Sequence, residues 1–110
     1  MKWFKIEALI SDKIGIQKLE INRQEICLIK TKDSFYACAT KCPHAAADIS
    51  QGWIEGDQIT CPFHRHQYDL TNGRGAEGQG DYLPVYKLEK RPDGWYVNLP
   101  ESWLRKIFKF

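Results

Sequence analysis

The sequence predicts an all-β domain carrying a loop-rich insert. Three observations point there. Short runs rich in β-branched and aromatic residues are separated by turn residues at close intervals. No long stretch sustains a helical period. Six of the eight glycines and all three histidines crowd between residues 41 and 84.

Taken in order, residues 3–10 form the first strand, and Gly15 then breaks the chain. Residues 16–21 alternate apolar and polar positions, the pattern of a half-buried strand. Asn22, Arg23 and Gln24 make a turn into a second arm, residues 25–31. Lys32 and Asp33 form a tight turn before a strand at 34–39. The middle section has short strands at 58–61 and 67–70, and residues 45–47 supply one helical turn at most. Four glycines between 73 and 80 mark a loop. Near the end, strands at 86–90 and 95–99 flank Asp93-Gly94, a hairpin signal. Both ends of the chain thus build one scaffold, and residues 41–84 form the insert of a single domain, 1–110. Trp53, Trp95 and Tyr96 are expected in the core, and Asp48 and Asp69 at loops or turns rather than as catalytic acids.

The chain has 110 residues, one domain's worth, with 43% hydrophobic residues for a modest core. So small a domain gains from a metal staple. The net charge of +2, with acids and bases mixed, argues against a nucleic-acid partner. No segment approaches the ~20 apolar residues of a membrane span. The first twelve residues carry Lys2, Lys5 and Glu7 and lack a signal peptide's apolar core. The expectation is a soluble, cytoplasmic protein with no membrane partner. The tail, residues 103–110, mixes aromatics with Arg105, Lys106 and Lys109 and either packs on the domain or meets a partner.

Two motifs hold the chemistry: Cys42-Pro43-His44 and Cys61-Pro62-Phe63-His64, with sixteen residues between His44 and Cys61. Each supplies one thiolate and one imidazole. In a reducing compartment such a cluster binds metal rather than forming disulfides. Sulfur and nitrogen donors suit zinc or an iron–sulfur cluster. Zinc fingers pair Cys with Cys and His with His at wider spacings. Here both halves are mixed, which suits two irons, one taking both thiolates and the other both imidazoles. Cys27 and Cys38 fall in strands and read as buried small apolar residues.

The segment CPHAAADISQGWIEGDQITCPFHRHQYDLTNG resembles the cluster-binding region of Rieske proteins. It is most similar to the soluble Rieske ferredoxins of bacterial ring-hydroxylating oxygenases. The strong match covers residues 42–73 and rests on four ligands, both prolines and Tyr68-Asp69-Leu70. The resemblance implies a Rieske-like stack of antiparallel sheets with one 2Fe–2S cluster at the tip of the inserted subdomain. It implies that Cys42 and Cys61 bind the buried iron, and that His44 and His64 bind the outer one and form the electron exit. Two neutral imidazoles in place of two thiolates ease reduction, so Rieske potentials of about −150 to +300 mV lie far above plant-type ferredoxins.

High-potential respiratory members carry a loop disulfide and place serine and tyrosine hydroxyls on the cluster sulfurs. Ala47 and Phe63 stand at the disulfide positions here, His66 at the serine position and Tyr68 at the tyrosine position. A low-to-intermediate potential is expected, and a value as high as the respiratory proteins' would refute it. With imidazole ligands the potential is expected flat at low pH and falling above their oxidised-state pKa values. Arg65 replaces the glycine that commonly follows the second histidine, Ala45-Ala46-Ala47 and Ile49 depart from the usual first loop, and a covering proline is missing from residues 73–81. Arg65 beside the exit either favours an acidic partner or tunes the charge near the cluster.

The chain shows no nicotinamide or flavin fingerprint, whose glycines open a helix after a strand, and it is too short for the catalytic domain of an oxygenase. It reads as an electron carrier, not an enzyme, passing single electrons from a reductase to an oxygenase or similar terminal protein, with monomer the default for a shuttle. Three alternatives compete. A redox-sensing or regulatory module would lose its cluster easily in air. A small subunit of an assimilatory nitrite reductase would co-purify with a large haem-containing subunit. A zinc-stabilised interaction module without redox function would be colourless.

Overall fold

The computed structural model describes residues 1–8, 10–43, 47–63, 65–76 and 78–100. Among these, ten strands make three antiparallel sheets. The first joins β1 (Lys2–Lys5), β10 (Gly94–Leu99) and β9 (Leu88–Arg91), so the two ends of the described chain share a sheet. The second runs β2 (Gly15–Ile21), β3 (Gln24–Lys30), β4 (Phe35–Ala39) and β8 (Val85–Tyr86). The third, within the insert, is β5 (Trp53–Glu55), β6 (Gln58–Thr60) and β7 (Gln67–Asp69).

β3 explains how the layers stack. Its run Ile26-Cys27-Leu28-Ile29 is buried throughout, at 3% exposure or less. Successive side chains of a strand point to opposite faces. Ile26 and Leu28 accordingly join the core with Ile6, Ala37, Val97 and Leu99, against the terminal sheet. Cys27 and Ile29 join the other core, with Ile49, Ile59, Tyr68, Leu70 and Leu83. The second sheet is therefore the filling between the terminal sheet and the insert. Each fully buried isoleucine here contributes about 2 kcal/mol by area removed from water.

The turn between β2 and β3 puts Asn22 at φ 50° and Arg23 at φ 65°, with Ile21 opposite Gln24. Two positive φ values in a two-residue loop match the twist of the strands it joins.

Several sequence expectations shift. The first strand ends at Lys5, although Ile6 N–H still donates to Trp95 O at 2.8 Å. The arm expected at 86–90 is divided. Val85 and Tyr86 pair with Cys38 and Ala37, whereas Leu88 pairs with Val97, so the chain crosses between two sheets at Lys87. In the last hairpin Arg91 faces Gly94, which makes Pro92 and Asp93 the turn pair. Proline fixes a negative φ, and Gly94 takes the positive one, 136°. Trp53 is not in the core: it is 42% exposed, because it shares the outward face of edge strand β5 with Glu55 while Ile54 points in. The described helical turn is a 3-10 turn at Ile49–Gln51; Ala45 and Ala46, where one was expected, lie outside the described residues. No helix of the described residues is long and apolar enough to cross a membrane.

Candidate metal centre

The two cysteines of the motifs head two loops built alike. Cys42 N–H donates to Ala47 O, and Cys61 N–H donates to His66 O, each at 2.8 Å. Both loops thus close by a hydrogen bond from the cysteine to the residue five positions on. The isolated pairing of Lys41 with Asp48 frames the first loop, and β6 and β7 frame the second. His44 and His64 stand inside these loops in sequence but lie outside the described residues.

The first loop is tied down from below. Asp48 caps the 3-10 turn, its Oδ1 accepting from the Ser50 N–H at 2.9 Å and hydroxyl at 2.6 Å. Its Oδ2 lies 2.5 Å from Lys18 Nζ on β2. Lys18 and Ser50 hold the Asp48 carboxyl below its ordinary range, and Asp48 raises the Lys18 ammonium in return. In the second loop Arg65 adopts φ 55°, a left-handed conformation that costs a side chain and not a glycine. Phe63 and Arg65 are both exposed beside it.

Cys42 and Cys61 are 1% and 0% exposed and belong to one core cluster. Their side chains interact with each other, and neither is in a disulfide. Burial pushes the Cys61 thiol up, a hydrogen bond from the Phe63 backbone pulls it down, and Cys42 adds to the rise. A pair of thiolates in this interior therefore needs a cation beside it. Hydrogen-bonding groups already face both sulfurs: the Phe63 N–H donates to Cys61, and the Tyr68 hydroxyl lies 3.4 Å from Cys42 Sγ. Two neighbouring buried thiols with hydrogen-bonding groups beside them fit the sulfur side of a 2Fe–2S cluster.

Tyr68, in the middle of β7, is fully buried. Its hydroxyl donates to Asp81 Oδ2 at 2.9 Å. Burial first, then the bonds to Cys42 and Asp81, push this phenol well above its ordinary pKa. Burial opposes ionisation of Asp81, but hydrogen bonds from Tyr68, Gln79 and its own backbone hold its carboxyl below the usual value, with His66 helping. Asp81 escaped the sequence reading; its one cue is its place just after the glycine loop.

Cys27 and Cys38 face each other directly across β3 and β4, both fully buried. Their contact, together with burial, raises the Cys38 thiol well above its ordinary pKa. They sit in the packed core as the sequence suggested, opposed but unbridged. Asp69 accepts from the Thr71 N–H at 2.8 Å and its hydroxyl at 2.6 Å, a turn role.

A family model described as "Rieske [2Fe-2S] domain" matches residues 5–87. The chain is 35% identical over 63 residues to a protein of Ralstonia sp named "Naphthalene 1,2-dioxygenase/salicylate 5-hydroxylase systems, ferredoxin component", covering 57% of this chain and 58% of that one. The chain thus spans a little over half of that relative's length. Among solved structures it is similar to a chain of the complex of reduced oxygenase and oxidized ferredoxin in carbazole 1,9a-dioxygenase, with TM-score 0.72, 27% identity, and coverage of 89% of this chain and 97% of that one. It also shares its fold with the putative NADH-dependent nitrite reductase small subunit from Mycobacterium tuberculosis, with TM-score 0.73, 20% identity, and coverage of 90% and 96%.

Proposed function

The chain belongs to the Rieske [2Fe-2S] domain family, and on that premise we propose that it is a one-electron carrier whose cluster is held by Cys42, His44, Cys61 and His64. The observation that carries this reading is the pair of buried, neighbouring thiols, each heading a loop closed five residues on. A 2Fe–2S cluster bound there accepts and releases one electron at a time. The chain's own residues do the rest. Cys42 and Cys61 anchor from the core side, where Ile49, Ile59 and Leu83 exclude water. His44 and His64 complete the set from within the same two loops, making residues 41–84 the cluster-binding part of a single domain. Exposed Phe63 and Arg65 border the second loop, where a redox partner would approach.

The partners follow from the relatives. A ferredoxin component of a dioxygenase system, and a ferredoxin in complex with its oxygenase, support a reductase as donor and a ring-hydroxylating or similar oxygenase as acceptor. Arg65 favours an acidic face on one of them. The protein works as a soluble cytoplasmic monomer, and its potential falls in the low-to-intermediate part of the Rieske range.

The deciding experiment is electron paramagnetic resonance of the dithionite-reduced protein, with iron and sulfide analysis. A Rieske-type signal with two irons and two sulfides per chain is expected. A colourless protein holding one zinc ion and no sulfide overturns the reading.

A further inference from the structure

Tyr68 has one hydroxyl proton and two acceptors. Asp81 Oδ2 is 2.9 Å away and receives it; Cys42 Sγ stands at 3.4 Å. With Cys42 acting as a metal-bound thiolate, its sulfur has no proton to give and can only accept. The choice then lies between a sulfur whose charge the metal neutralises and an ionised carboxylate. The charge-assisted O–H···O bond is the stronger.

The loop is built to present that carboxylate. Gln79 Nε2 donates to Asp81 Oδ1 at 3.2 Å and to Gln67 O at 3.1 Å, while Gln67 N–H donates to Gln79 Oε1 at 2.9 Å. Asp81 is thereby clamped to β7, the strand that carries Tyr68. Gly75 makes room: its N–H donates to Asp81 O at 2.9 Å, and a Cβ there would meet Asp81 Oδ1 and Gln79 Nε2, each at 2.7 Å.

We infer that Asp81 is a positioning residue that draws the Tyr68 proton away from Cys42 and so holds the reduction potential down. Hydrogen bonds to cluster sulfurs raise the potential. Tyr68 occupies the place of such a donor, yet Asp81 takes what it has to offer. This rests on the reading that Cys42 is a cluster ligand.

A double-mutant cycle by voltammetry tests it, with wild type, Tyr68→Phe, Asp81→Asn and the double variant. If Asp81 acted through its charge alone, Asp81→Asn would raise the potential equally with or without the phenol. Proton diversion predicts otherwise. Tyr68→Phe alone leaves the potential nearly unchanged. Asp81→Asn raises it, and adding Tyr68→Phe to Asp81→Asn removes a clear part of that rise. Equal shifts in both backgrounds, or a large drop for Tyr68→Phe alone, overturn the inference. Should Asp81→Asn fail to take up iron, resonance Raman of wild type against Tyr68→Phe suffices. The iron–sulfur stretches shift equally on deuteration in both, whereas a larger shift in wild type overturns the inference. Iron, sulfide and the paramagnetic signal are measured on each sample. Their absence from wild type refutes the cluster reading itself, and their presence with additive potentials refutes the role of Asp81 alone.

Discussion

Lys18 reaches from the middle of β2 to Asp48 at the foot of the first loop, Nζ to Oδ2 at 2.5 Å. This is the one ion pair among those described that joins the scaffold to the loop headed by Cys42. Its partners are partly exposed, so its contribution to global stability is small. Its effect is local, on the foot of that loop.

Lys18→Met should therefore speed cluster loss, followed by bleaching of visible absorbance, with little change in fold. The pH window follows from the two shifts. The lowered Asp48 carboxyl stabilises the fold above its ordinary pKa of about 3.9, and that share is lost as pH falls through the depressed folded value. The raised Lys18 ammonium stabilises below about 10.4, and its share is lost as pH rises through the elevated folded value. Wild type and Lys18→Met should differ between those limits and converge outside them. A difference constant from pH 3 to pH 11 would sink the assignment.

The four cysteines should divide cleanly. Cys42→Ser or Cys61→Ser abolishes iron and sulfide binding. Cys27→Ala or Cys38→Ala keeps both and loses about 1 kcal/mol to the small cavity left in the core. Iron and sulfide content with a denaturant melt separates the pairs.

Two glycines of the insert should respond differently to alanine. A Cβ on Gly52 would lie 1.9 Å from Thr60 O, so β5 and β6 must part to admit it. Gly56→Ala meets nothing within 4 Å and pays only for its φ of +61°. Urea unfolding should show a loss of about 1–2 kcal/mol for Gly56→Ala. Gly52→Ala should lose more, at or beyond the upper end of the ~1–3 kcal/mol typical of overpacking.

Arg65→Gly removes a side chain from a left-handed position. Relief of about 1–2 kcal/mol of strain outweighs the entropy that glycine adds to the unfolded chain, for a net gain of about 0.5–1 kcal/mol. If Arg65 meets an acidic partner, the same change weakens docking and flattens the salt dependence of electron transfer. Faster transfer from the more stable variant would argue that the charge serves no partner.

The sequence alone carried the β-rich character, the alternating strand 16–21 and the two Cys/His motifs. Each of these is local: a period of two, or a thiol and an imidazole within four residues. Ile26 to Ile29 was legible as an apolar run, but which face met which core was not, since both faces are covered. Trp53 shows the same limit. Hydropathy favours burial of a tryptophan, whereas the pleat of an edge strand turned this one outward.

What the tertiary structure alone decided lies between atoms far apart in the chain. Tyr68 and Asp81 stand thirteen residues apart and meet because Gln79 clamps the glycine loop to β7. Lys18 finds Asp48 thirty residues on because the insert packs over the second sheet. Which metal chemistry a chain can support is set by donor atoms and their spacing, which covalent geometry carries in the sequence. Where a single proton goes depends on the charge of the acceptors within its reach, and only the folded packing brings those acceptors together.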